Sequence, residues 1–65
     1  MQVKLISVDT NSYFFYRLTD ALDKKINEWL GENPNIQLFS VTPAFNNVKD
    51  GDNDVAVMTA TIIYN

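Results

Sequence analysis

The most regular hydrophobic pattern in the chain lies between Tyr13 and Leu30. Apolar side chains recur there at steps of three and four residues, at Phe15, Leu18, Leu22, Ile26, Trp29 and Leu30. This spacing places them along one face of an α-helix. Ser12 or Asn11 is a suitable N-cap, and Gly31 followed by Pro34 is typical of a helix end. We therefore predict a helix over 13–30.

Three other segments, 3–8, 36–42 and 55–64, are rich in β-branched and apolar residues and predict strands. Pro43 is expected to fray or bulge the second strand, because proline cannot donate to a ladder, and Phe45 could extend it. The stretch 46–53 is dense in turn formers.

The resulting order is β-α-β-β in one domain, 1–65. It predicts an α+β fold, with a three-stranded sheet and one helix packed on one face. We expect the third strand to run antiparallel to the second, and a right-handed crossover if the first two strands are parallel. The pattern leaves the strand order open.

The last strand is apolar or β-branched on both sides. One side carries Ala56, Met58, Ala60, Ile62 and Tyr64; the other carries Val55, Val57, Thr59, Thr61 and Ile63. Only one side can meet the helix, so we predict that the second set forms a subunit interface. A domain of 65 residues without cysteine also lacks the usual staples of small folds, which favours a homo-oligomer.

The composition argues against several classes of function. Five Lys and Arg against eight Asp and Glu give a net charge of -3, which works against binding nucleic acid. No run is long and apolar enough to predict a membrane span or a signal peptide, so we expect no membrane partner and a cytoplasmic location. Without His or Cys, a nucleophile has no imidazole to activate it. We therefore expect no enzyme and no cofactor.

The acidic segment Asp50-Gly51-Asp52-Asn53-Asp54 begins like a calcium loop. Such a loop needs Gly at its sixth position and Glu at its twelfth, where this chain has Val55 and Thr61. A solvated hairpin turn is the favoured interpretation, and whether these acids bind any cation stays open.

The most unusual local feature is the run Tyr13-Phe14-Phe15-Tyr16-Arg17. One helix face cannot bury four consecutive aromatic residues; Phe15 is expected in the core, on the face of Leu18 and Leu22. A helix N-terminus attracts anions, an aromatic ring stacks with a base, and Arg17 adds a cation. We thus predict a nucleotide-like ligand site at Ser12, Tyr13, Phe14, Tyr16 and Arg17. The alternative is that these aromatic residues anchor a subunit interface, and the two are compatible if the ligand lies between subunits.

Several short motifs resemble one family along nearly the whole chain: Val3-Lys4-Leu5, the helix segment 22–30, the strand 36–41 and the ending 57–64. Together they resemble the small sporulation proteins of the Cse type from endospore-forming bacteria and their relatives. The resemblance implies a bacterial or phage-borne accessory protein without an established biochemical activity. The element order alone is similar to that of dodecins, oligomeric shells that hold flavins, but no dodecin motif is present.

Two functional hypotheses follow. The first is a non-enzymatic, homo-oligomeric binding module that captures a small nucleotide-like ligand at or between subunits. The second is a protein-interaction module, an accessory factor or inhibitor, that docks on a protein through its acidic loop or its uncovered sheet face.

Overall fold

The computed structural model describes all 65 residues, from Met1 to Asn65. The chain forms strand β1 (Gln2–Asp9), a short 3₁₀-helix (Phe15–Arg17), helix α1 (Leu18–Glu32), strand β2 (Leu38–Asp50) and strand β3 (Asn53–Tyr64). The three strands build one sheet, and the single helix packs on β1 and β3. The predicted α+β fold class is confirmed.

The strand order is β1-β3-β2, with β3 in the centre and antiparallel to both neighbours. The third strand is thus antiparallel to the second, as expected, while β1 and β2 run in the same direction on opposite sides of β3. The sequence contains a signal for this order. Between Val55 and Tyr64, β3 has no charge and no proline, whereas β1 carries Lys4 and β2 carries Pro43, residues that suit edge strands.

The core lies between α1 and one face of the sheet. Val8, Leu18, Leu22, Ala56 and Ala60 form a buried cluster, against which Ile6, Ala21, Ile26 and Met58 pack. Because side chains alternate along a strand, the even-numbered residues of β3 face the helix and the odd-numbered ones face away. The Trp29 ring packs edge-on against Tyr64 with 5.0 Å between centroids, closing the far end of this layer.

The predicted start of the helix is wrong. Helix α1 begins at Leu18, five residues after Tyr13, and neither Ser12 nor Asn11 caps it. The reason lies in Asp9, whose backbone carbonyl accepts hydrogen bonds from the amides of Ser12 (3.3 Å) and Tyr13 (3.1 Å). This turn is followed by Phe14 in an extended conformation, with φ -65° and ψ 148°, which no α-helix can include.

The end of the helix also differs from prediction. Gly31 lies inside α1, and Asn33 stops the helix instead. The Asn33 amide donates to the Leu30 carbonyl at 3.2 Å, and its side-chain Nδ2 donates to the Trp29 carbonyl at 2.8 Å. These two bonds satisfy carbonyls that the last turn would leave without a partner.

Strand β2 is longer than predicted. It begins at Leu38 rather than Ile36 and continues through Pro43 to Asp50, so most of the segment expected to form a loop is strand. The register is irregular between Leu38 and Ser40, and not at Pro43. Pro43 is tolerated because β2 lies at an edge of the sheet, where only one side of the strand is paired.

Helix α1 has neither the length nor the apolar character that a membrane-spanning helix needs.

Candidate functional site

The segment between β1 and α1, which we call the aromatic turn (residues 10–17), is built around Asp9. Besides the two bonds to its carbonyl, the Asp9 carboxylate accepts the amide of Asn11 at 3.0 Å. Thr10 then ties the turn to β3: its amide donates to the Ala56 carbonyl at 3.1 Å, and its hydroxyl accepts the Ala56 amide at 3.0 Å. The aromatic side chains therefore follow a turn whose backbone is held by these hydrogen bonds.

All five residues predicted to bind a ligand lie around one open concavity of about 510 Å³, together with Thr10 and Asn11. The rings of Phe14 and Tyr16 are nearly parallel, with an interplanar angle of 7° and centroids 5.7 Å apart. The Arg17 guanidinium carbon lies 5.9 Å from the centre of the Tyr16 ring, at cation–π distance. The concavity thus combines flat apolar surface with one cation.

The helix N-terminus expected to bind an anion does not lie at Ser12. The amides of Asn11, Ser12 and Tyr13 donate to Asp9, and a single turn of 3₁₀-helix separates this segment from α1. Arg17 is the one cation that lines this concavity, and anion binding there stays a prediction. Phe14 and Tyr16 are 71% and 74% exposed, so their rings are available for contact with another molecule.

The prediction that Phe15 lies in the core is also wrong. Phe15 is 64% exposed and meets Phe45 edge-on, with 5.8 Å between centroids. Since the 3₁₀-turn replaces the first predicted turn of α-helix, Phe15 does not share the face of Leu18 and Leu22. It instead connects the aromatic turn to β2, a contact that the sequence pattern did not suggest.

The sheet face opposite the helix has no covering layer, and we call it the open sheet face. Its residues are identified by alternation and by the strand register; they are Val3, Leu5 and Ser7 on β1, Ser40, Thr42, Ala44, Asn46 and Val48 on β2, and Val55, Val57, Thr59, Thr61 and Ile63 on β3. None of these is charged. By the same register, two carboxylates, Asp9 and Asp50, also lie on this face, toward its hairpin end.

The five predicted interface residues all lie on the open sheet face, but they are not equally accessible. Val57, Thr59, Thr61 and Ile63 are half-buried by their neighbours, and Val55 is only 6% exposed. Val55 therefore offers almost no surface to a partner. The most exposed apolar side chains of this face come from the edge strands, namely Leu5 at 62%, Val3 at 60% and Val48 at 50%, which the sequence reasoning missed.

Asp50, Asp52 and Asp54 lie around a tight hairpin. Asp50 pairs with Asn53, so only Gly51 and Asp52 form the turn. No group of three or more His, Cys, Asp or Glu side chains is positioned to hold a metal ion.

Two further concavities border the aromatic turn. One, of about 440 Å³, lies toward the hairpin and is lined by Thr10, Tyr13, Phe14, Phe15, Asn47, Asp54 and Ala56. The other, of about 190 Å³, lies toward the helix and is lined by Tyr13, Arg17, Asp20, Ala21 and Lys24. The sequence could not reveal that Asn47 and Asp54 approach the aromatic turn, because the long β2–β3 hairpin brings them there.

Comparison with known proteins gives no relative: no family model, no curated protein and no solved structure matches this chain. The resemblance to Cse-type sporulation proteins and to dodecins stays a prediction.

Proposed function

We propose that this chain is a non-enzymatic, homo-oligomeric binding module that captures a small nucleotide-like ligand at the aromatic turn. The observation that carries the proposal is the concavity of about 510 Å³ around Phe14, Tyr16 and Arg17. Exposed parallel rings suit a planar base, since any nucleobase can stack on an aromatic side chain. The guanidinium suits a phosphate, which it can bind through two parallel hydrogen bonds.

Self-association is supported by the amount of surface that the single chain leaves in water. Its accessible area is 4795 Å², whereas a monomer of 7.4 kDa is expected to expose about 4200 Å². Its radius of gyration is 13.1 Å, against about 11 Å for a compact domain of this length. If two copies each covered the excess of about 600 Å², the interface would reach the lower edge of the standard size, about 1,200 Å² in total.

The open sheet face is the surface best suited to this contact. It is uncharged except for Asp9 and Asp50 and is rich in aliphatic and threonine side chains, as the inner face of a sheet sandwich is. The aromatic turn lies outside the set of residues that form this face. A subunit contact there leaves the rings of Phe14 and Tyr16 free for a ligand.

The test is native mass spectrometry of protein purified without added ligand. We expect a discrete oligomer that carries a reproducible extra mass. The double variant Tyr16→Ala, Arg17→Ala should keep the oligomer and lose the extra mass, because both residues are exposed and outside the core. Lys25→Ala is the matched control, since Lys25 is also an exposed cation and lines none of the concavities.

A second candidate is a protein-interaction module without a small-molecule ligand, an accessory factor or inhibitor. The same open sheet face favours it, with a different protein in place of the second copy. A bare oligomer in the mass spectrum would support this candidate over ligand capture. A bare monomer would contradict the self-association on which the first proposal depends.

A further inference from the structure

The three concavities around the aromatic turn meet at one side chain, Tyr13, which lines all of them. Arg17 is shared by the central and the helix-side concavity, and Phe14 by the central and the hairpin-side one. The three concavities are therefore adjacent around the turn, and together we call them the groove. Its centre is aromatic, and its two ends belong to α1 and to the β2–β3 hairpin.

The two ends of the groove differ in charge and in hydrogen-bonding character. The helix end has two cations, Arg17 and Lys24, with Asp20 beside them, and so carries a net positive charge. The hairpin end has the Asn47 amide and the Asp54 carboxylate. Lys49 lies opposite Asp54 in the sheet register but does not line the hairpin-side concavity.

This polarity suggests a class of ligand for the proposed capture site. A phosphate fits the helix end, where Arg17 and Lys24 supply donors and positive charge. A base stacked on Phe14 would lie beside the hairpin end, because Phe14 lines both the centre and the hairpin-side concavity. The Asp54 carboxylate accepts hydrogen bonds and donates none, so it favours a base edge that carries an amino group over one that offers no donor.

Resting on the function proposed above, we propose that the groove selects a phosphorylated nucleoside whose base bears an exocyclic amino group. Arg17 and Lys24 hold the phosphate, Phe14 and Tyr16 hold the base, and Asp54 reads the amino group. The specificity-determining residue is thus Asp54, which lies 37 positions after Arg17 in the sequence.

The experiment is a titration followed by amide NMR, with adenosine monophosphate, purine riboside monophosphate and adenosine as the probes. Purine riboside monophosphate has a hydrogen atom in place of the amino group of adenine, and adenosine lacks the phosphate. We expect adenosine monophosphate to bind at least about tenfold more tightly than either of the others, since each lacks one of the groups that the groove is proposed to hold and a hydrogen bond to a charged group contributes about this much. The amides of residues 13–17 should shift with every bound probe.

Two variants separate the parts of the proposal. Asp54→Asn should reduce the preference for adenine over unsubstituted purine, because a neutral amide oxygen accepts a weaker hydrogen bond from the amino group than a carboxylate does. Asp52→Asn is the matched control: it also removes one carboxylate from the hairpin, yet Asp52 lines none of the concavities, so the preference should persist. The amide spectrum itself reports whether each variant is folded.

The outcomes distinguish the two levels of the proposal. Equal affinity for the two nucleotides, or an undiminished preference in Asp54→Asn, overturns the role of Asp54 and leaves capture at the aromatic turn standing. Adenosine binding as tightly as its monophosphate overturns the phosphate assignment. If no probe shifts the amides of residues 13–17 at millimolar concentration, the proposed nucleotide capture is overturned as well.

Discussion

At the scale of single residues, the turn after β1 depends on two polar residues, Asp9 at the end of the strand and Thr10 directly after it. Asp9 organises the turn by accepting three backbone amides, and Thr10 connects it to β3 through Ala56. The sequence predicts Asn11 or Ser12 as a helix cap, but it could not show which groups accept which amides. That choice depends on where β3 lies, and β3 is more than 40 residues away in the chain.

Thr10→Val tests the connection to β3. Valine has nearly the same shape as threonine but no hydroxyl, so the part-buried Ala56 amide loses the acceptor that it has at 3.0 Å. We expect a loss of about 1–3 kcal/mol in the free energy of unfolding, measured by urea denaturation. Thr10→Ser keeps the hydroxyl and should lose clearly less. Equal losses in the two variants would show that the hydrogen bond contributes little.

At the scale of elements, the sequence predicts the types of the helix and strands well and the residues at which they begin and end poorly. The helix, the three strands and the β-α-β-β order follow from periodicity because apolar faces must meet a core. The first turn of the helix and the length of β2 do not follow. Phe15 matches the helical spacing of Leu18, but Asp9 holds the amides before it in a turn. Pro43 reads as an interruption, yet an edge strand needs hydrogen bonds on one side only.

The second stability prediction concerns Gly51 in the turn of the β2–β3 hairpin. Gly51 has φ +64° and is the first residue of a two-residue turn, while no other residue of the chain has positive φ. This is the arrangement of a type II′ turn, which favours glycine at its first central position. Gly51→Ala should cost about 1–2 kcal/mol, since an L-residue is strained there even though the surrounding space is open.

Gly31 is the matched control, because it lies in the last turn of α1 and a Cβ added there meets nothing within 4 Å. Gly31→Ala should therefore stabilise the protein, by up to about 1 kcal/mol, by removing backbone freedom from the unfolded chain. Thermal unfolding should show the two midpoints moving in opposite directions, by about 4–8 °C per kcal/mol in a domain of this size. Shifts of the same sign would contradict the assigned turn geometry.

At the scale of the whole molecule, the chain forms one sheet with one helix on its first face, and no element of the chain covers the second face. The sequence predicted this asymmetry, because both sides of β3 are apolar and the chain contains a single helix. It did not identify the most exposed apolar residues of that face. Leu5 and Val3 lie on an edge strand, and only the β1-β3-β2 order shows that they join β3 in one continuous surface.

Leu5→Glu tests whether a second copy covers the open sheet face. Leu5 is 62% exposed in the single chain, so the substitution costs the isolated fold little; in a sheet-to-sheet contact it would bury an unpaired carboxylate. We expect the wild type to sediment as an oligomer and its unfolding temperature to rise with protein concentration, because association stabilises the folded state by mass action. The variant should sediment as a monomer and unfold at a temperature independent of concentration.

The control for Leu5→Glu is a similar change on the other side of the sheet. Val41 is 38% exposed and pairs with Ile62, whose side chain faces the helix layer. Val41→Glu therefore adds the same charge to an exposed strand position outside the open sheet face, and its oligomer should persist. If both variants remain oligomeric, the subunits associate through another surface, and the exposed aromatic rings of Phe14 and Tyr16 become the first alternative. If the wild type is a monomer at every concentration, the open sheet face is left for a different protein, as the second candidate function requires.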